Sequence, residues 1–271
     1  LKSIKNPTEI KNMKKSHMVD GIALTKFLFW LKKNFRKKKI TEISAQKKLE
    51  NFRKMNKSYK FPSFDTISGS GPNSAIIHYR ATSESNRTLK KGDLYLVDSG
   101  GQYSFGTTDV TRTISLDNNS KFISEIYTRV LKGHIAVSNY KITKHSIGSD
   151  IDQDARKPLK NIGLDYPHGT GHGVGYFLNV HEGPQSISKK NKVNLKAGMI
   201  VSNEPGYYKE GYFGIRIENL VYIKKNKFEE LTMAPIEKDL IKKNMLNKKE
   251  IAWLNNYHAK VKNNLLKFMD F

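Results

Sequence analysis

Four carboxylates of this sequence stand where a buried reaction centre could use them. Asp98 follows the apolar run LYLV, and Asp109 comes eleven residues later among threonines and a valine. Glu204 closes the segment MIVSN, and Glu218 comes fourteen residues later in an alternating segment. Such segments are typical of strands, which bury every second side chain, and a buried carboxylate is costly unless it is paired or binds a metal ion. Taken singly, either aspartate is as readily a turn residue or an ion-pair partner of Arg112.

Histidines and glycines alternate in the segment HGTGHGVG, which runs from His168 to Gly175. Four alternating glycines lose much backbone entropy on folding, which makes sense where the main chain must approach another group closely. The spacing directs His168 and His172 toward the same space. The glycine order does not fit a dinucleotide-binding turn, and His181-Glu182 lacks the second histidine of a zinc-protease helix. On its own, His181 would be interpreted as structural.

The four carboxylates and His172 form a candidate metal-binding set. If the carboxylates converge, they raise one another's pKa and cannot all ionise without compensating charge, which two divalent cations would supply. The set offers oxygen atoms, one imidazole and no thiolate, since the chain has no cysteine. These ligands favour Mn²⁺, with Zn²⁺ and Co²⁺ as competitors. Two such ions a few ångströms apart form a known arrangement for activating water in hydrolysis.

Helix-starting signals and apolar periodicity predict the elements that position these residues. Short strands between Gly, Pro, Asn and Ser clusters are predicted in residues 61–116 and 163–223. Helices are predicted to begin at Asn6-Pro7 and near Thr41, to span Lys121–Ser138, to begin at Ser149 with a kink or end at Pro158, and to begin near Asn247. This order of helix pair, strands, helix pair and strands predicts an α+β protein with two halves of similar design.

Composition limits the class of protein. The chain has 271 residues, 37% of them hydrophobic, and no apolar run long enough to span a membrane. Its net charge is +23, but all except eight of the 48 basic residues are lysines spread along the chain. We interpret this charge as a solvated lysine-rich surface, and we expect no specific nucleic-acid partner and no membrane partner. The absence of cysteine fits a cytoplasmic location.

At these residues the sequence resembles the aminopeptidase P family (Xaa-Pro aminopeptidases) of pita-bread metallopeptidases, and in particular the catalytic domain of its long, three-domain form. The resemblance covers nearly the whole chain and is carried by these motifs: Ala75-Ile76-Ile77-His78-Tyr79, Asp98-Ser99-Gly100, Thr108-Asp109-Val110-Thr111-Arg112, His168 to Gly175, Val180-His181-Glu182-Gly183-Pro184, Asn203-Glu204-Pro205-Gly206-Tyr207-Tyr208, Gly214-Ile215-Arg216-Ile217-Glu218-Asn219 and Trp253-Leu254-Asn255-Asn256-Tyr257-His258. It implies the pita-bread fold, with two pseudo-symmetric halves of curved antiparallel sheet backed by helices. It also implies hydrolysis of the bond between an N-terminal residue and a penultimate proline, so the expected partners are peptides with proline in the second position.

The resemblance assigns a role to each matching residue. It implies that Asp98 binds one metal ion, that Asp109 and Glu218 bridge both ions, and that His172 and Glu204 complete the second ion's ligands. Glu204 would also carry a proton to the leaving proline nitrogen. The remaining active-site positions, on the substrate side or beside the ligands, match His78, His168, His181, Tyr208 and Arg216. Of these, His168 and His181 would hold the substrate and steady the charge on its carbonyl oxygen.

The domain organisation follows from the same resemblance. Residues 1–271 are expected to form a single pita-bread catalytic domain, with N-terminal helices at 1–60, a metal-binding core at 61–224 and a C-terminal extension at 225–271. The long form's upstream domains are expected to be absent from this chain. The alternatives are a prolidase that accepts only dipeptides, a methionyl aminopeptidase, a non-catalytic pita-bread binding module, and non-specific nucleic-acid binding through the positive charge. A homodimer stays open.

Overall fold

The computed structural model describes residues 2–117 and 119–269. Within these residues the chain forms five α-helices, which are α1 (Pro7–Asn34), α2 (Glu42–Lys54), α3 (Lys121–Ser138), α4 (Gly148–Lys160) and α5 (Lys248–Leu265). Short 3₁₀ helices occupy Gly71–Ala75, Lys243–Met245 and Leu266–Phe268. Every predicted helix is present, and α4 continues only two residues past Pro158. The helix thus ends soon after Pro158, in keeping with a residue that has no N–H to donate to the carbonyl group four residues earlier.

Side-chain caps explain where four of the five described α-helices start, α4 being the exception. Asn6 caps α1 and Asn247 caps α5, each in a reciprocal capping box with a glutamate of the first turn. Thr41 caps α2, and Ser120 caps α3 by accepting from the main-chain N–H of Ile123. Each cap satisfies a main-chain donor that the helix leaves free and contributes about 1 kcal/mol.

Thirteen strands lie in the described part of the chain, all short and antiparallel. They are β1 (Tyr59–Pro62), β2 (Ile67–Ser70), β3 (Leu94–Ser99), β4 (Gly101–Tyr103), β5 (Gly106–Thr107), β6 (Val110–Ser115), β7 (Gly171–His172), β8 (Ser186–Ile187), β9 (Ile200–Asn203), β10 (Gly206–Lys209), β11 (Phe213–Arg216), β12 (Asn219–Lys224) and β13 (Lys227–Glu230). The two principal sheets have the strand orders β2-β3-β6 and β13-β12-β9. Three smaller groups have the orders β1-β4-β5, β10-β11 and β7-β8.

Each principal sheet is covered by one helix pair through its own hydrophobic core. In the first half, apolar residues of α1 and α2 such as Phe27 and Leu49 pack with Tyr95 and Val97 of β3. In the second half, Val137 of α3 and residues of α4 pack against β9 and β12. Helices α3 and α4 lie very close together at Gly133. A Cβ placed on this residue would lie 2.3 Å from the carbonyl oxygen of Ala155. The predicted α+β class and order of elements are confirmed.

The two halves meet where β6 lies beside the segment that runs from the end of β11 to the start of β12. The main-chain N–H of Glu218 donates to Thr111 O at 3.2 Å. A few residues away, Thr113 and Arg216 exchange hydrogen bonds through the threonine hydroxyl. Strand ends of both sheets therefore converge at this junction. None of the described helices combines the length and the apolar composition that crossing a bilayer requires.

Candidate dinuclear metal site

Five side chains from five chain segments converge at the junction of the two halves. Asp98 lies near the end of β3, and Asp109 immediately precedes β6. His172 ends β7, Glu204 follows β9, and Glu218 lies between β11 and β12. All five line one cavity of about 290 Å³. The structure thus brings together every residue of the candidate metal-binding set.

Strand pairing places the two glutamates opposite each other. Strands β9 and β12 pair in a register that ends at Asn203 and Asn219. Two residues farther along, Ile217 N–H donates to Pro205 O at 3.3 Å, so the register continues. Glu204 and Glu218 therefore face each other across this extension and project from the same face.

Ligand atoms in the cavity form three overlapping groups, in each of which the atoms lie within 4.8 Å of one another. The groups are Asp98–Asp109–Glu218, His172–Glu204–Glu218 and Asp109–His172–His181. Asp109, His172 and Glu218 each belong to two groups, and of these three only the carboxylates Asp109 and Glu218 have two oxygens with which to bridge two ions. Asp98 Oδ1 is buried without a hydrogen-bond partner, which is costly unless a cation faces it. The donor set and this unpaired oxygen fit two divalent cations.

The imidazole of His172 is oriented by its main chain. Its Nδ1–H donates to Gly173 O at 3.0 Å, which leaves Nε2 to face Asp109 Oδ2 at 3.3 Å and Glu204 Oε1 at 3.4 Å. This tautomer is the one that a ligand histidine uses. The glycines around it permit close approach, as predicted: a Cβ on Gly171 would lie 1.9 Å from Ser202 O, and one on Gly173 would lie 2.0 Å from Glu182 O.

Hydrogen bonds from neighbouring hydroxyl groups fix the two glutamates. Thr111 Oγ1–H donates to Glu218 Oε2 at 2.7 Å, and Ser202 Oγ–H donates to Glu204 Oε1 at 2.9 Å. The same Ser202 hydroxyl accepts from the His172 main-chain N–H at 2.9 Å. Thr111 and Ser202 were not singled out from the sequence, although Thr111 lies two residues beyond Asp109 on the same strand face.

Without cations the site holds too much like charge to ionise fully. Burial and the neighbouring carboxylates together raise the pKa of Glu204 to about 7, and the same two causes raise that of Glu218 well above its usual range. Burial also raises the pKa of Asp109, against the hydrogen bond to His172. Burial opposes the charged form of His172, but Asp109 and Glu204 together raise its pKa to about 9. The cage formed by Asp98, Asp109, His172, Glu204 and Glu218 therefore attracts positive charge, in the form of protons or metal ions.

A second chain of polar contacts runs along one side of the cavity. Arg216 Nη2 lies 2.7 Å from Asp98 Oδ2, and its Nη1 donates to the Tyr208 hydroxyl at 2.6 Å. His168 Nδ1–H donates to Gly169 O at 2.8 Å, so Nε2 accepts from the Tyr208 hydroxyl at 2.8 Å. Burial, together with the charge of Arg216, lowers the pKa of His168 to about 4. Both nitrogens of this neutral imidazole are engaged, so a direct contact with substrate would require the ring to leave one partner.

The remaining predicted histidines line the same cavity. His181 is exposed, and its ring meets that of His172 edge to face, with centroids 4.2 Å apart. His78 is also exposed, on the loop after the first 3₁₀ helix. Phe64, Ile67 and Ile77 add an apolar part to the lining that was not predicted from the sequence.

Arg112 contacts the main chain of the site rather than Asp109. Its guanidinium donates to Glu218 O at 2.6 Å, to Ala234 O at 2.8 Å and to Pro235 O at 2.8 Å. The ion pair between Arg112 and Asp109 that the sequence allowed is therefore not present, and Asp109 remains available to the cavity.

Comparison with known proteins identifies the family of this arrangement. The profile of metallopeptidase family M24 matches residues 11–225, and that of the C-terminal region of peptidase M24 matches residues 225–270. The Dictyostelium discoideum protein named Xaa-Pro aminopeptidase 1 is 46% identical over 286 residues, an alignment that covers 99% of this chain and 46% of that protein. The chain thus spans about half the length of this relative.

Solved structures share the fold. The X-prolyl aminopeptidase of Caenorhabditis elegans, described as a cytosolic enzyme with a di-nuclear active site, superposes with a TM-score of 0.95 at 40% identity, over 98% of this chain and 46% of that one. A Bacillus anthracis Xaa-Pro dipeptidase superposes with a TM-score of 0.78 at 30% identity, over 87% of this chain and 63% of that one. The predicted pita-bread fold is confirmed by these matches.

Proposed function

Because the chain belongs to metallopeptidase family M24, we propose that it is a dinuclear metal-dependent aminopeptidase that hydrolyses the bond between an N-terminal residue and a penultimate proline. The observation that carries the proposal is the convergence of Asp98, Asp109, His172, Glu204 and Glu218 on one cavity. The names of the relatives supply the substrate class. Peptides with proline in the second position are the substrates we propose for this chain.

Two divalent cations complete the site in this proposal. Asp98, Asp109 and Glu218 would hold one ion, and His172 and Glu204 would hold the other together with the shared Asp109 and Glu218. The charges support this, since two dications neutralise four carboxylates. An oxygen-rich set with one imidazole favours Mn²⁺ over the competing Zn²⁺ and Co²⁺. When bound, the pair would lower the pKa of a water molecule and polarise the substrate carbonyl group.

Glu204 is the proton carrier that the geometry favours. Its carboxylate lines the cavity beside the shared Glu218, where it can accept a proton from the attacking water and pass it on. In the balanced reaction the water oxygen adds to the carbonyl carbon, the C–N bond to proline breaks, and the proton passes through a Glu204 oxygen to the proline nitrogen. The products are a free amino acid and a peptide that begins with proline.

The other residues of the cavity bind and orient the peptide. We propose that His181, with its exposed imidazole, donates to the substrate carbonyl oxygen as charge develops there. We propose that the free amine of the substrate lies near Asp98 and that the apolar side chains of Phe64, Ile67 and Ile77 accept its hydrophobic parts. His168 acts through the Tyr208 hydroxyl in this proposal, because both of its nitrogens are engaged.

The test joins metal content to peptide cleavage. The chain is reconstituted with Mn²⁺, bound metal per chain is measured by elemental analysis, and release of arginine from Arg-Pro-Pro is followed. Asp109→Asn serves as the matched negative control. We expect two ions per chain and arginine release by the unaltered chain only. A reconstituted chain that binds no metal would reject the proposal in favour of a non-catalytic binding module.

A prolidase is the second candidate, because a dipeptidase structure shares the fold. The dipeptide Gly-Pro separates the two activities. Cleavage of Gly-Pro without cleavage of Arg-Pro-Pro would assign the chain as a prolidase. The cytosolic description of the Caenorhabditis elegans enzyme supports a cytoplasmic location as part of the proposal.

A further inference from the structure

We infer that His134 of α3, a residue outside the cavity, is a positioning residue that holds Glu204 and Glu218 in register for metal binding. The inference rests on the proposed function only in requiring that the carboxylate cage binds cations. His134 is fully buried, and its Nδ1 lies 3.1 Å from Asn203 O and 3.2 Å from Ile217 O. Those two carbonyl groups belong to the residues that immediately precede Glu204 and Glu218.

A proline creates the need for this donor. Ile217 N–H donates to Pro205 O, and an antiparallel pair of this kind normally returns a second bond from residue 205 to Ile217 O. Proline has no N–H and cannot return it. A buried carbonyl group without a donor costs free energy comparable to a lost hydrogen bond. The imidazole N–H of His134 takes the place of the missing main-chain N–H.

Other contacts fix the imidazole in this position. Asn203 Nδ2–H donates back to His134 O at 2.9 Å, so the helix and the strand end are tied in both directions. The ring of Trp253, from α5, meets the imidazole edge to face with centroids 5.7 Å apart. Burial and the charge of Arg112 lower the pKa of His134 to about 3, which keeps the ring neutral with a single N–H.

A second buried histidine provides a matched control. His17 of α1 is 2% exposed, and its Nδ1–H donates to Met13 O at 2.7 Å. In both histidines Nε2 is buried without a partner, and burial lowers the pKa of each. The difference is the acceptor, because Met13 lies in the same helix as His17, whereas the acceptors of His134 flank two metal-ligand candidates.

The experiment measures Mn²⁺ affinity of the full chain by isothermal titration calorimetry, with thermal unfolding of the metal-free protein as the measure of folding. We expect His134→Leu to raise the dissociation constant at least tenfold, the size seen when a partner that orients a ligand is lost. His134→Asn, whose amide nitrogen replaces Nδ1, should recover most of the affinity. His17→Leu should lose stability and bind Mn²⁺ as the unaltered chain does.

The more decisive part of the experiment restores the main-chain donor. In the His134→Leu background, Pro205→Ala returns an N–H opposite Ile217 O and should recover part of the lost affinity. If His134→Leu does not fold, His134→Asn is compared with His134→Gln, whose amide extends past the Nδ1 position and should bind Mn²⁺ more weakly. Unaltered Mn²⁺ affinity in His134→Leu, equal loss in His17→Leu, or equal affinity of the Asn and Gln variants would overturn the inference. Failure of the unaltered chain to bind Mn²⁺ would instead remove the proposed function.

Discussion

Two regions of this molecule bury carboxylates and treat them in opposite ways. At the start of α2, the buried Glu42 carboxylate accepts from Ser70 N at 2.7 Å, Tyr79 OH at 2.8 Å, Arg87 N at 2.9 Å and Asn73 Nδ2 at 3.1 Å. The helix N-terminus adds further stabilisation of its charge. Glu42 is thus satisfied entirely by the protein.

The cage at the junction of the halves lacks such compensation. Four carboxylates share Arg216, His172 and a few hydroxyl donors, and one oxygen of Asp98 has no partner. The raised pKa values of Asp109, Glu204 and Glu218 follow from burial and from the charge of neighbouring carboxylates. The comparison teaches that burial of an acid does not by itself indicate function. What distinguishes the cage is a deficit of donors and cations, which an external ligand can supply.

The largest expected effect comes from removing a shared ligand. Glu218→Gln and Asp109→Asn should each lower kcat/KM for Arg-Pro-Pro at least a thousandfold, or about 4 kcal/mol, because each deletes a charge shared by both ions. Glu42→Gln makes the same chemical change in a carboxylate whose hydrogen-bond donors all come from the protein. This variant should therefore keep the metal ions of the cage. Elemental analysis and peptide kinetics on the three variants check this. Equal metal loss in Glu42→Gln would erase the distinction between the two regions.

The cage should also control the pH dependence of the metal-free protein. The folded pKa of Glu204, about 7, and that of His172, about 9, both exceed ordinary values. A raised folded pKa contributes stability below the unfolded pKa and loses it as pH rises through the folded pKa. Each of the two groups should therefore lower the free energy of unfolding in the presence of chelator by about 3 kcal/mol between pH 5 and pH 9.

Urea denaturation across this pH range measures the effect. Saturating Mn²⁺ should reverse the slope, because bound cations displace protons from these groups. Glu204→Gln should flatten the metal-free curve, whereas Glu42→Gln should leave its slope unchanged. If the free energy of unfolding of the metal-free protein instead rises toward pH 9, like charge in the cage does not destabilise the fold.

Removing the charge of Glu42 is also expected to lower the free energy of unfolding. In Glu42→Gln an amide group replaces one oxygen and faces two or more donors, so stability should fall by about 2 kcal/mol. Denaturant unfolding at pH 7 gives the value. A stabilised variant would mean that the four donors do not compensate for burial of the charge.

The smallest expected effect separates lining the cavity from binding metal. His181→Ala should lower kcat about tenfold, through loss of a donor to the substrate carbonyl oxygen, while both ions stay bound. The alternative follows from the ligand group that contains His181 together with Asp109 and His172. Release of an ion from His181→Ala would make His181 a ligand.

Local signals in the sequence were sufficient for the helices and for the candidate ligands. Caps such as Asn6 and Thr41 depend on residues only three positions apart, so the sequence specifies them directly. The five candidate ligands could be selected because buried carboxylates at strand ends, and glycines on both sides of a histidine, lower the stability of the fold unless they serve a binding site. Their order along the chain also carried the family resemblance, which the comparisons confirm.

Contacts between distant segments could not be read in this way. Periodicity predicted the helix α3, but not that the imidazole of His134 would reach two carbonyl groups some 70 and 80 residues away. The engagement of both His168 nitrogens and the apolar lining from Phe64 and Ile67 have no local signal either.

The sequence by itself determined which residue types were available, the helices that carry them and the segments in which the acids end strands, because these depend on neighbours along the chain. Only the tertiary structure decided that Glu204 and Glu218 face each other, that Asp98 Oδ1 lacks a partner, and that Glu42 is fully satisfied. The physical reason is that the protonation and metal affinity of a buried acid depend on every donor and charge within a few ångströms, and these arrive from segments far apart in the chain.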